Sequence, residues 1–427
     1  MRFFPPILPA NTVSTDGSAL SGRMRDTQPV RLDSSPAVTR AAIRVPIQGV
    51  HEMSSPPERQ TSKPVILFSA GATAYELVRY LGSSSNGEVL LARRRYSDTV
   101  GGSVIIKRLQ EPSNAITRAR LLEEFKHVLQ VDHPCIAQVF LLRMHEGAPH
   151  LVMEHVEGLS LESLLNLAAM RGQPLPEDLA AYLVGEVADA LFHTHTQKDA
   201  LGRPLGIIHR DVSPRHIRLS VHGRIKLTDF AVAYSKMEGR LATVGPLLKG
   251  DIAYSSPEYF MLQPLDARAD LFSLGVVLLE MVTGRHLLDL PEVEEAMRMA
   301  GPPSSIQLSL QSEEQSWAPA PEMSMRMERF RPEFVERATR VLSAPMRDIL
   351  MHALQREPSE RFQSAQELRD ELWAFLGGLG RCYGPQNVQR EVSLIRSEAI
   401  RRNGGAQLPE EDSPHALPGM LSRKPRS

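Results

Sequence analysis

The stretch from Ile207 to Ala233 constrains the fold of this chain more than any other part of the sequence. Two short apolar runs, Leu205–Ile208 and Ile225–Leu227, predict two strands. The residues Leu219–Arg224, with a turn at His222–Gly223, predict a hairpin that leads into the second strand. A small sheet is therefore expected here, and a polar loop follows each of its two apolar strands.

An acidic residue lies in each of these polar loops, Asp211 after the first apolar run and Asp229 after the second. The hairpin would bring both carboxylates to one edge of the sheet. A base beside a metal-binding carboxylate suits phosphoryl transfer, because that reaction depends mostly on positioning and on neutralising negative charge. The stretch therefore indicates a site for phosphoryl transfer.

The overall composition is ordinary for a globular protein. The 427 residues are 42% hydrophobic and 23% charged, with a formal net charge of -1. This balance gives no bulk attraction to nucleic acid or to an anionic membrane, and the sequence has no run of about 18 apolar residues that would span a membrane. Two cysteines, Cys135 and Cys382, are too few for a disulfide framework. We expect a cytoplasmic protein that neither binds nucleic acid nor inserts into a membrane.

Composition and periodicity divide the chain into three parts. Residues 1–72 are rich in Ser, Pro, Thr and Arg and predict a disordered segment. Residues 73–377 carry the periods of strands and helices and predict the folded domain. A surface insertion is expected at 301–330, and its methionines are expected to cover the helical lobe rather than to bind a ligand. Residues 378–427 predict a tail that includes a short amphipathic helix near 388–401.

A glycine-containing loop lies close to the start of the folded domain, which is expected near Tyr75. Gly82, Gly87 and Val89 are spaced as in loops that cover nucleotide phosphates, whereas Ser84 occupies the place of a middle glycine. Glycine lets backbone amides approach phosphate closely. Taken alone, the same residues are more typical of a plain hairpin.

A lysine in the next predicted strand, Lys107 within Ser103–Leu109, has two interpretations. A single lysine in a strand is usually a solvated charge. A helix is predicted at about Ala115–Gln130, however, and it carries Glu124. The second interpretation is that Lys107 and Glu124 form an ion pair.

These motifs together resemble the protein kinase family, and the resemblance covers about residues 75–377. They include the catalytic loop His209–Asp211, the sequence Asp229–Ala231 in place of Asp-Phe-Gly, and Ser256–Glu258 in place of Ala-Pro-Glu. The catalytic-loop variant is similar to that of bacterial serine/threonine kinases, particularly the myxobacterial type. The resemblance implies an α+β, bilobal fold, with a β-rich N-lobe at 73–155 and a helical C-lobe at 156–377.

The resemblance also implies a role for each matching residue. Asp211 would accept the proton of the substrate hydroxyl, and Lys107 would contact the nucleotide phosphates with support from Glu124. Asp229 would hold Mg²⁺. The implied ligands are ATP, Mg²⁺ and a protein substrate.

The adenine site is implied at the connection between the two lobes. Met153 would be the gatekeeper, and the backbones of Glu154 and Val156 would form hydrogen bonds with adenine. Glycine-loop residues Gly82, Ser84, Gly87 and Val89 would cover the nucleotide from above.

Further residues are implied to hold the domain together. Asp270 would accept hydrogen bonds from the catalytic-loop backbone near Arg210, and Arg361 would pair with Glu258. Two histidines at the end of a predicted helix, His193 and His195, are attributed to interaction with the helix dipole.

An activation segment is implied between Phe230 and Ser256. Arg210 beside the catalytic aspartate favours regulation by phosphorylation, with Thr243 as the first candidate site and Tyr234 and Ser235 as alternatives.

Departures from the family pattern leave two functions open. Ser84, Ser213 and Ala231 each replace a family residue, and His216 stands where the family has an asparagine that binds a second Mg²⁺. Imidazole suits Mg²⁺ poorly and Mn²⁺ better. One interpretation is an active protein serine/threonine kinase. The other is a pseudokinase, a nucleotide-binding scaffold or allosteric regulator with a regulatory protein partner.

Overall fold

A six-stranded antiparallel sheet forms the first lobe of the computed structural model. The structure describes residues 64–84, 87–109, 131–199, 201–230, 247–248, 250–312, 316–380 and 382–403. The sheet has the spatial order β1-β2-β3-β4-β6-β5. Its strands are β1 (Ile66–Ala70), β2 (Thr73–Ser84), β3 (Gly87–Arg95), β4 (Val100–Leu109), β5 (Val139–His145) and β6 (Ala148–Glu154).

The two faces of this sheet serve different purposes, because successive side chains of a strand point to opposite faces. Val104 and Ile106 of β4 are fully buried in an apolar cluster that also includes Phe68 of β1. Ile105 and Lys107 lie on the opposite face. That face turns towards the second lobe, since Ile105 packs against the large core.

The sheet begins earlier than the sequence suggested. Strand β1 pairs with β2 and places Phe68 in the apolar cluster, so ordered structure precedes Tyr75 and the prediction that residues up to 72 are disordered is wrong for Ile66–Ala70. The run is short and lies next to a segment rich in polar residues. Its burial against β2 decides its conformation.

The second lobe is helical and contains most of the large core. Helix α4 is apolar all round and lies at the centre, where ten or more consecutive residues are buried, as expected for a core helix. The helices are α1 (Leu161–Arg171), α2 (Glu177–His195), α3 (Pro257–Phe260), α4 (Arg268–Thr283), α5 (Pro291–Arg298), α6 (Ser305–Ser309), α7 (Ala320–Arg329), α8 (Pro332–Ala338), α9 (Ala344–Ala353), α10 (Ala365–Gly378) and α11 (Pro385–Arg402).

Two small sheets complete this lobe. Strands β7 (Gly158–Ser160), β8 (Ile217–Ser220) and β9 (Ile225–Leu227) form an antiparallel sheet, and β10 (Leu247–Leu248) pairs in parallel with β11 (Gln311–Ser312).

The predicted hairpin is present as β8 and β9. Its turn contains Gly223 with φ +74°, a left-handed conformation in which glycine carries no steric penalty. The prediction of a strand at Leu205–Ile208 is wrong. These residues form no strand, and Leu205, Ile207 and Ile208 are buried apolar residues of the catalytic-loop approach. A short apolar run has no period that separates a strand from a packed loop.

The predicted surface insertion at 301–330 is only partly a surface segment. Met323 and Met327 of α7 are almost completely buried in the main core. The expectation that its methionines cover the helical lobe is confirmed. Methionine suits such a place because its flexible side chain fills irregular space.

The described part of the chain ends with a helix packed on the domain. Helix α11 lies against α1, and Val388, Ile395 and Ala399 on its inner face are fully buried. The amphipathic helix predicted near Val388–Arg401 is therefore present and slightly longer than expected.

Candidate active site

The loop that carries Asp211 is held by a buried carboxylate. Asp270, in the first turn of α4, accepts hydrogen bonds from the backbone N–H groups of His209 and Arg210, both at 2.8 Å. Arg210 has φ +67°, a conformation that costs free energy in a residue with a side chain. The two hydrogen bonds stabilise it, and they confirm the predicted role of Asp270.

A further contact to Asp270 was not expected from the sequence. His195 Nε2 lies 2.8 Å from Asp270 Oδ2, and the side chains of both residues are buried. His195 lies in the last turn of α2, as predicted, and it has in addition a carboxylate partner from another helix. A sequence pattern gives no sign of this contact, since 75 residues separate the two.

His209 links the loop of Asp211 to the loop of Asp229. Its Nε2–H donates to the carbonyl of Thr228 at 3.0 Å, and its Nδ1 accepts the N–H of Asp211 at 3.3 Å. Complete burial lowers the pKa of His209, so the neutral ring that this pattern requires is favoured. The Phe230 ring packs edge-on at 4.5 Å between centroids. The two acidic loops are thus fixed relative to each other.

Lys107 and Asp229 form a close ion pair across the two lobes. Lys107 Nζ donates to Asp229 Oδ1 at 3.0 Å and to Oδ2 at 2.8 Å. Burial opposes ionisation of Asp229, but the ammonium of Lys107 and the ring of His216 outweigh it and hold the pKa of this carboxyl well below its usual range. Lys107 is 5% exposed, so its interpretation as a solvated strand lysine is wrong.

His216 lies between the two acidic side chains. Its Nδ1 donates to the backbone carbonyl of Asp211 at 2.9 Å and lies 3.4 Å from Asp211 Oδ2, while its Nε2 lies 3.6 Å from Asp229 Oδ2. Burial alone would lower the pKa of His216, but the two carboxylates more than compensate and raise it. The sequence predictions for Lys107, Asp211, His216 and Asp229 thus fall on residues that the fold brings together.

The carboxylate of Asp211 is covered by the chain that precedes α3. The N–H of Asp251 donates to Asp211 Oδ1 at 2.8 Å. Gly250 packs on the same carboxylate with φ +76°, and a Cβ at this position would come within 2.8 Å of Asp211 Oδ1. Asp211 is only 4% exposed.

The glycine-containing loop is the β2–β3 connection beside Lys107. Ser84 pairs with Gly87 and Gly82 with Val89, and Val89 in turn pairs with Lys107 of β4. Gly87 has φ +133°, and a Cβ there would collide with the backbone carbonyl of Arg108. This glycine is required by the close approach of β4, whatever the loop covers.

The connection between the lobes follows β6 and contains the predicted adenine-binding residues. Met153 of β6 pairs with Ile105 of β4, on the sheet face that carries Lys107. Glu154 is the last residue of β6. Val156 is buried just beyond it. Arg218 of β8 is a residue that the sequence did not single out. Its Nη2 donates to the carbonyls of Val156 and Gly158, both at 3.1 Å, and so holds this connection to the second lobe.

The predicted ion pair of Glu258 is also present. Arg361 donates to Glu258 through Nη1 at 2.8 Å and Nη2 at 2.7 Å, in bidentate geometry. The same guanidinium donates to the carbonyl of Gln355 at 2.8 Å. The pair fixes the start of α3 at the end of the segment that covers Asp211.

Some predicted residues lie outside the described part of the chain. They are Glu124, Ala231 and the candidate phosphorylation sites Tyr234, Ser235 and Thr243. The side chain of Ser84 is likewise not described.

The fold and these contacts define a two-lobed protein of the kinase type. The protein kinase domain family model matches residues 75–374, and the chain belongs to this family.

Bacterial relatives are about 30% identical to this chain over the aligned residues. The tyrosine-protein kinase MasK of Myxococcus xanthus is 32% identical over 212 residues, which are 49% of this chain and 32% of MasK. The serine/threonine-protein kinase PknJ of Mycobacterium tuberculosis is 31% identical over 318 residues, 73% of this chain and 47% of PknJ. The chain thus spans between a third and a half of the length of these relatives.

A crystal structure of the PknI kinase domain of Mycobacterium tuberculosis is more distant. The match covers 70% of this chain and 95% of the PknI chain, at 23% sequence identity and a TM-score of 0.45. A TM-score of this size carries no structural argument. Within the described residues, no helix is long and apolar enough to cross a membrane.

Proposed function

We propose that this chain is an ATP-dependent protein kinase that transfers the γ-phosphate to a serine or threonine hydroxyl of a protein. The observation that carries the proposal is the convergence of Lys107, Asp229 and Asp211 at one site. Lys107 lies 2.8 Å from Asp229 across the two lobes, and His216 contacts both Asp229 and Asp211. A buried cation beside an ionised carboxylate, with a second carboxylate as base, is the arrangement that phosphoryl transfer requires.

Each residue would act through a property visible in the structure. The ammonium of Lys107 has three N–H donors, so it would stay hydrogen-bonded to Asp229 while it also binds a phosphate oxygen. Asp211, held by the ordered catalytic loop, would orient the substrate hydroxyl and accept its proton. The backbone beyond β6, anchored by Arg218, would receive the adenine base.

The residues fit one magnesium ion well and a second one poorly. Asp229 has a depressed pKa and supplies hard, ionised oxygen atoms, the ligands that Mg²⁺ prefers. Mg²⁺ at Asp229 would neutralise phosphate charge when bound. His216 supplies imidazole nitrogen, which suits Mn²⁺ better than Mg²⁺.

A second candidate function rests on His216. Its ring contacts both acidic side chains within 3.6 Å, so it partly satisfies the charges that a second metal would neutralise. This contact favours a pseudokinase that binds nucleotide and acts as a scaffold or allosteric regulator for a protein partner.

Transfer of radiolabel from ATP to a generic protein substrate tests the proposal. We expect incorporation by the parent protein and at least a hundredfold less with Asp211→Asn, the range in which a general base contributes. Asp348→Asn is the matched control, because Asp348 is exposed on α9, far along the chain from the site. Phosphoamino acid analysis identifies the acceptor, since phosphotyrosine alone would contradict the serine/threonine assignment. Equal labelling by parent and Asp211→Asn would favour the pseudokinase.

A further inference from the structure

Helix α11 lies beyond the residues that match the family model, yet it packs on two elements that border the proposed nucleotide site. The match ends at residue 374, and α11 begins at Pro385. The helix contacts the turn of the β8–β9 hairpin and packs on α1. Both elements adjoin the connection between the lobes, because β8 pairs with β7 and α1 begins directly after β7.

The N-terminal part of α11 makes close contact with the hairpin turn. The backbone carbonyl of Pro385 lies against Gly223, where a Cβ would collide with it. Gln389, about one turn further along the helix, donates from Nε2 to the carbonyl of Val221 at 3.1 Å. The hairpin turn is therefore fixed by a residue pair that the family pattern does not include.

The same turn residue holds the connection between the lobes. The N–H of Val221 donates to the carbonyl of Glu157 at 2.9 Å, while the carbonyl of Val221 accepts from Gln389. A single residue of the hairpin thus links α11 on one side to the connection on the other.

The rest of the hairpin holds the adjoining residues of the connection. Lys226 Nζ of β9 donates to Glu154 Oε2 at 3.0 Å, and Arg218 of β8 donates to the carbonyl of Val156 at 3.1 Å. Glu154 and Val156 are the residues whose backbones are predicted to bind adenine. A displacement of the hairpin would therefore displace the backbone that receives the base.

The C-terminal part of α11 holds α1. Arg402 donates to the carbonyl of Arg171, the last residue of α1, and Arg171 Nη1 donates to Glu398 Oε2 of α11 at 3.4 Å. The side chain of Arg171 is 7% exposed, so this pair is mostly shielded from water. Asn403 Nδ2 donates to the carbonyl of Met170 at 3.3 Å. Helix α11 therefore bridges the hairpin and α1, the two elements that border the connection.

We propose that α11 is a positioning element of the nucleotide site: through Gln389 and the hairpin turn it holds the backbone that receives adenine, so that its docking strengthens nucleotide binding. The proposal rests on the nucleotide site of the proposed function and holds for a kinase and for a nucleotide-binding scaffold. Coupling free energies are reciprocal, so bound nucleotide must in turn strengthen the docking of α11.

Two substitutions in α11 test the proposal. Gln389→Glu keeps the size of the side chain and removes the N–H donor to Val221. Val388→Ala removes methyl groups from a fully buried position beside it. The controls are Gln386→Glu, at an exposed glutamine that has no hydrogen bond to the hairpin within the described residues, and Leu394→Ala, at a residue that is 48% exposed. Thermal melting checks that all variants are folded.

Isothermal titration calorimetry of the full chain with Mg²⁺–ADP measures the Kd without a transfer step. We expect a Kd about threefold higher in Gln389→Glu and in Val388→Ala, because loss of one hydrogen bond or of buried methyl groups changes an equilibrium by about this factor. The KM for ATP should rise by the same factor, with kcat and the KM for the protein substrate unchanged. Both controls should behave as the parent.

Hydrogen–deuterium exchange tests the reciprocal effect. Mg²⁺–ADP should slow exchange of the parent protein in peptides that cover residues 217–227 and 385–402, because local opening becomes less frequent when docking is strengthened. The slowing in 385–402 should be smaller in Gln389→Glu. No slowing of this peptide in the parent protein would contradict the coupling.

The other outcomes separate the proposal from the proposed function. A Kd unchanged in either variant, even with a lower melting temperature, would show that the altered contact only stabilises the fold and would overturn the proposal. A lower Kd would overturn it too, because docked α11 would then oppose nucleotide binding. The expected rise in Kd without phosphoryl transfer from any form would support the proposal and contradict the kinase function. A parent protein that binds no nucleotide would overturn both.

Discussion

At the scale of single residues, the site depends on two backbone conformations that side chains disfavour. Arg210 has φ +67° and Asp229 has φ +64°. Such conformations persist when surrounding contacts fix them, and they concentrate at functional sites. Asp270 fixes the conformation of Arg210 by accepting hydrogen bonds from two backbone N–H groups of its loop. Lys107 holds the carboxylate of Asp229. The strain thus supports the assignment of the site to these two loops.

His216 is the residue at which the two candidate functions separate. If the imidazole limits turnover because it replaces an oxygen ligand, His216→Asn should raise activity by about tenfold, or about 1.4 kcal/mol of barrier. Nucleotide affinity, followed by thermal shift, should change less, because Asp229 remains. Mn²⁺ should support the parent protein better than Mg²⁺ does.

The matched control for this change is His222→Asn, in the exposed turn of the β8–β9 hairpin. It should leave activity as it is. A measurable activity that neither His216→Asn nor Mn²⁺ alters would show that histidine is tolerated and that the argument from ligand type is wrong.

The buried pair of Glu258 and Arg361 gives a prediction about stability. The Arg361 side chain is 0% exposed, so Glu258→Gln would leave its charge buried without a compensating carboxylate. We expect the free energy of unfolding to fall by about 3–5 kcal/mol, as measured by urea denaturation. Glu333→Gln, on the exposed side of α8, should change it by less than about 0.5 kcal/mol. Equal effects of the two changes would contradict the structural role of the pair.

At the scale of elements, helix α11 extends the domain beyond the residues that match the family model, which end at 374. It contacts α1 and the turn of the β8–β9 hairpin, where Gln389 Nε2 donates to the carbonyl of Val221 at 3.1 Å. A Cβ on Gly223 would collide with the backbone carbonyl of Pro385. Helix α11 therefore supports the turn of the β8–β9 hairpin. The opposite end of the same hairpin leads into the loops of the candidate site.

Adjacent residues of α11 allow a paired test of this packing. Ile395 is fully buried, whereas Leu394 is 48% exposed. Ile395→Ala should lower the free energy of unfolding by about 2–4 kcal/mol through lost burial and a residual cavity. Leu394→Ala should change it by less than about 0.5 kcal/mol. Denaturant midpoints that shift equally would show that α11 does not dock as the structure has it.

At the scale of the whole molecule, nucleotide binding joins the two lobes, because Lys107 comes from the sheet and Asp229 from the helical lobe. Mg²⁺–ATP should raise the melting temperature, since a ligand that binds only the folded state stabilises it by about 2.7 kcal/mol at a hundredfold excess over Kd. Lys107→Met should remove most of the shift. Lys198→Met, at an exposed lysine, should retain it. No shift of the parent protein at millimolar nucleotide would count against both candidate functions.

The sequence by itself determined the family and singled out most of the residues of the candidate site. The order and spacing of the motifs around Lys107, Asp211 and Asp229 identified the fold, and the partners of Asp270 and Glu258 followed from the family pattern. The hairpin and the core methionines were also predicted, because local turn chemistry and hydrophobic content act over short distances in the chain.

Only the tertiary structure decided the contacts between residues far apart in the sequence. The pairing of β1 with β2, the contact of His195 with Asp270, the hydrogen bonds of Arg218 and the ladder of β10 with β11 depend on how elements pack. The pattern of a single sequence indicates the secondary structure that each segment prefers. It does not indicate which other segment packs against it. Burial against that partner overrides local preference, as at Leu205–Ile208, where an apolar run packs into the core without forming a strand.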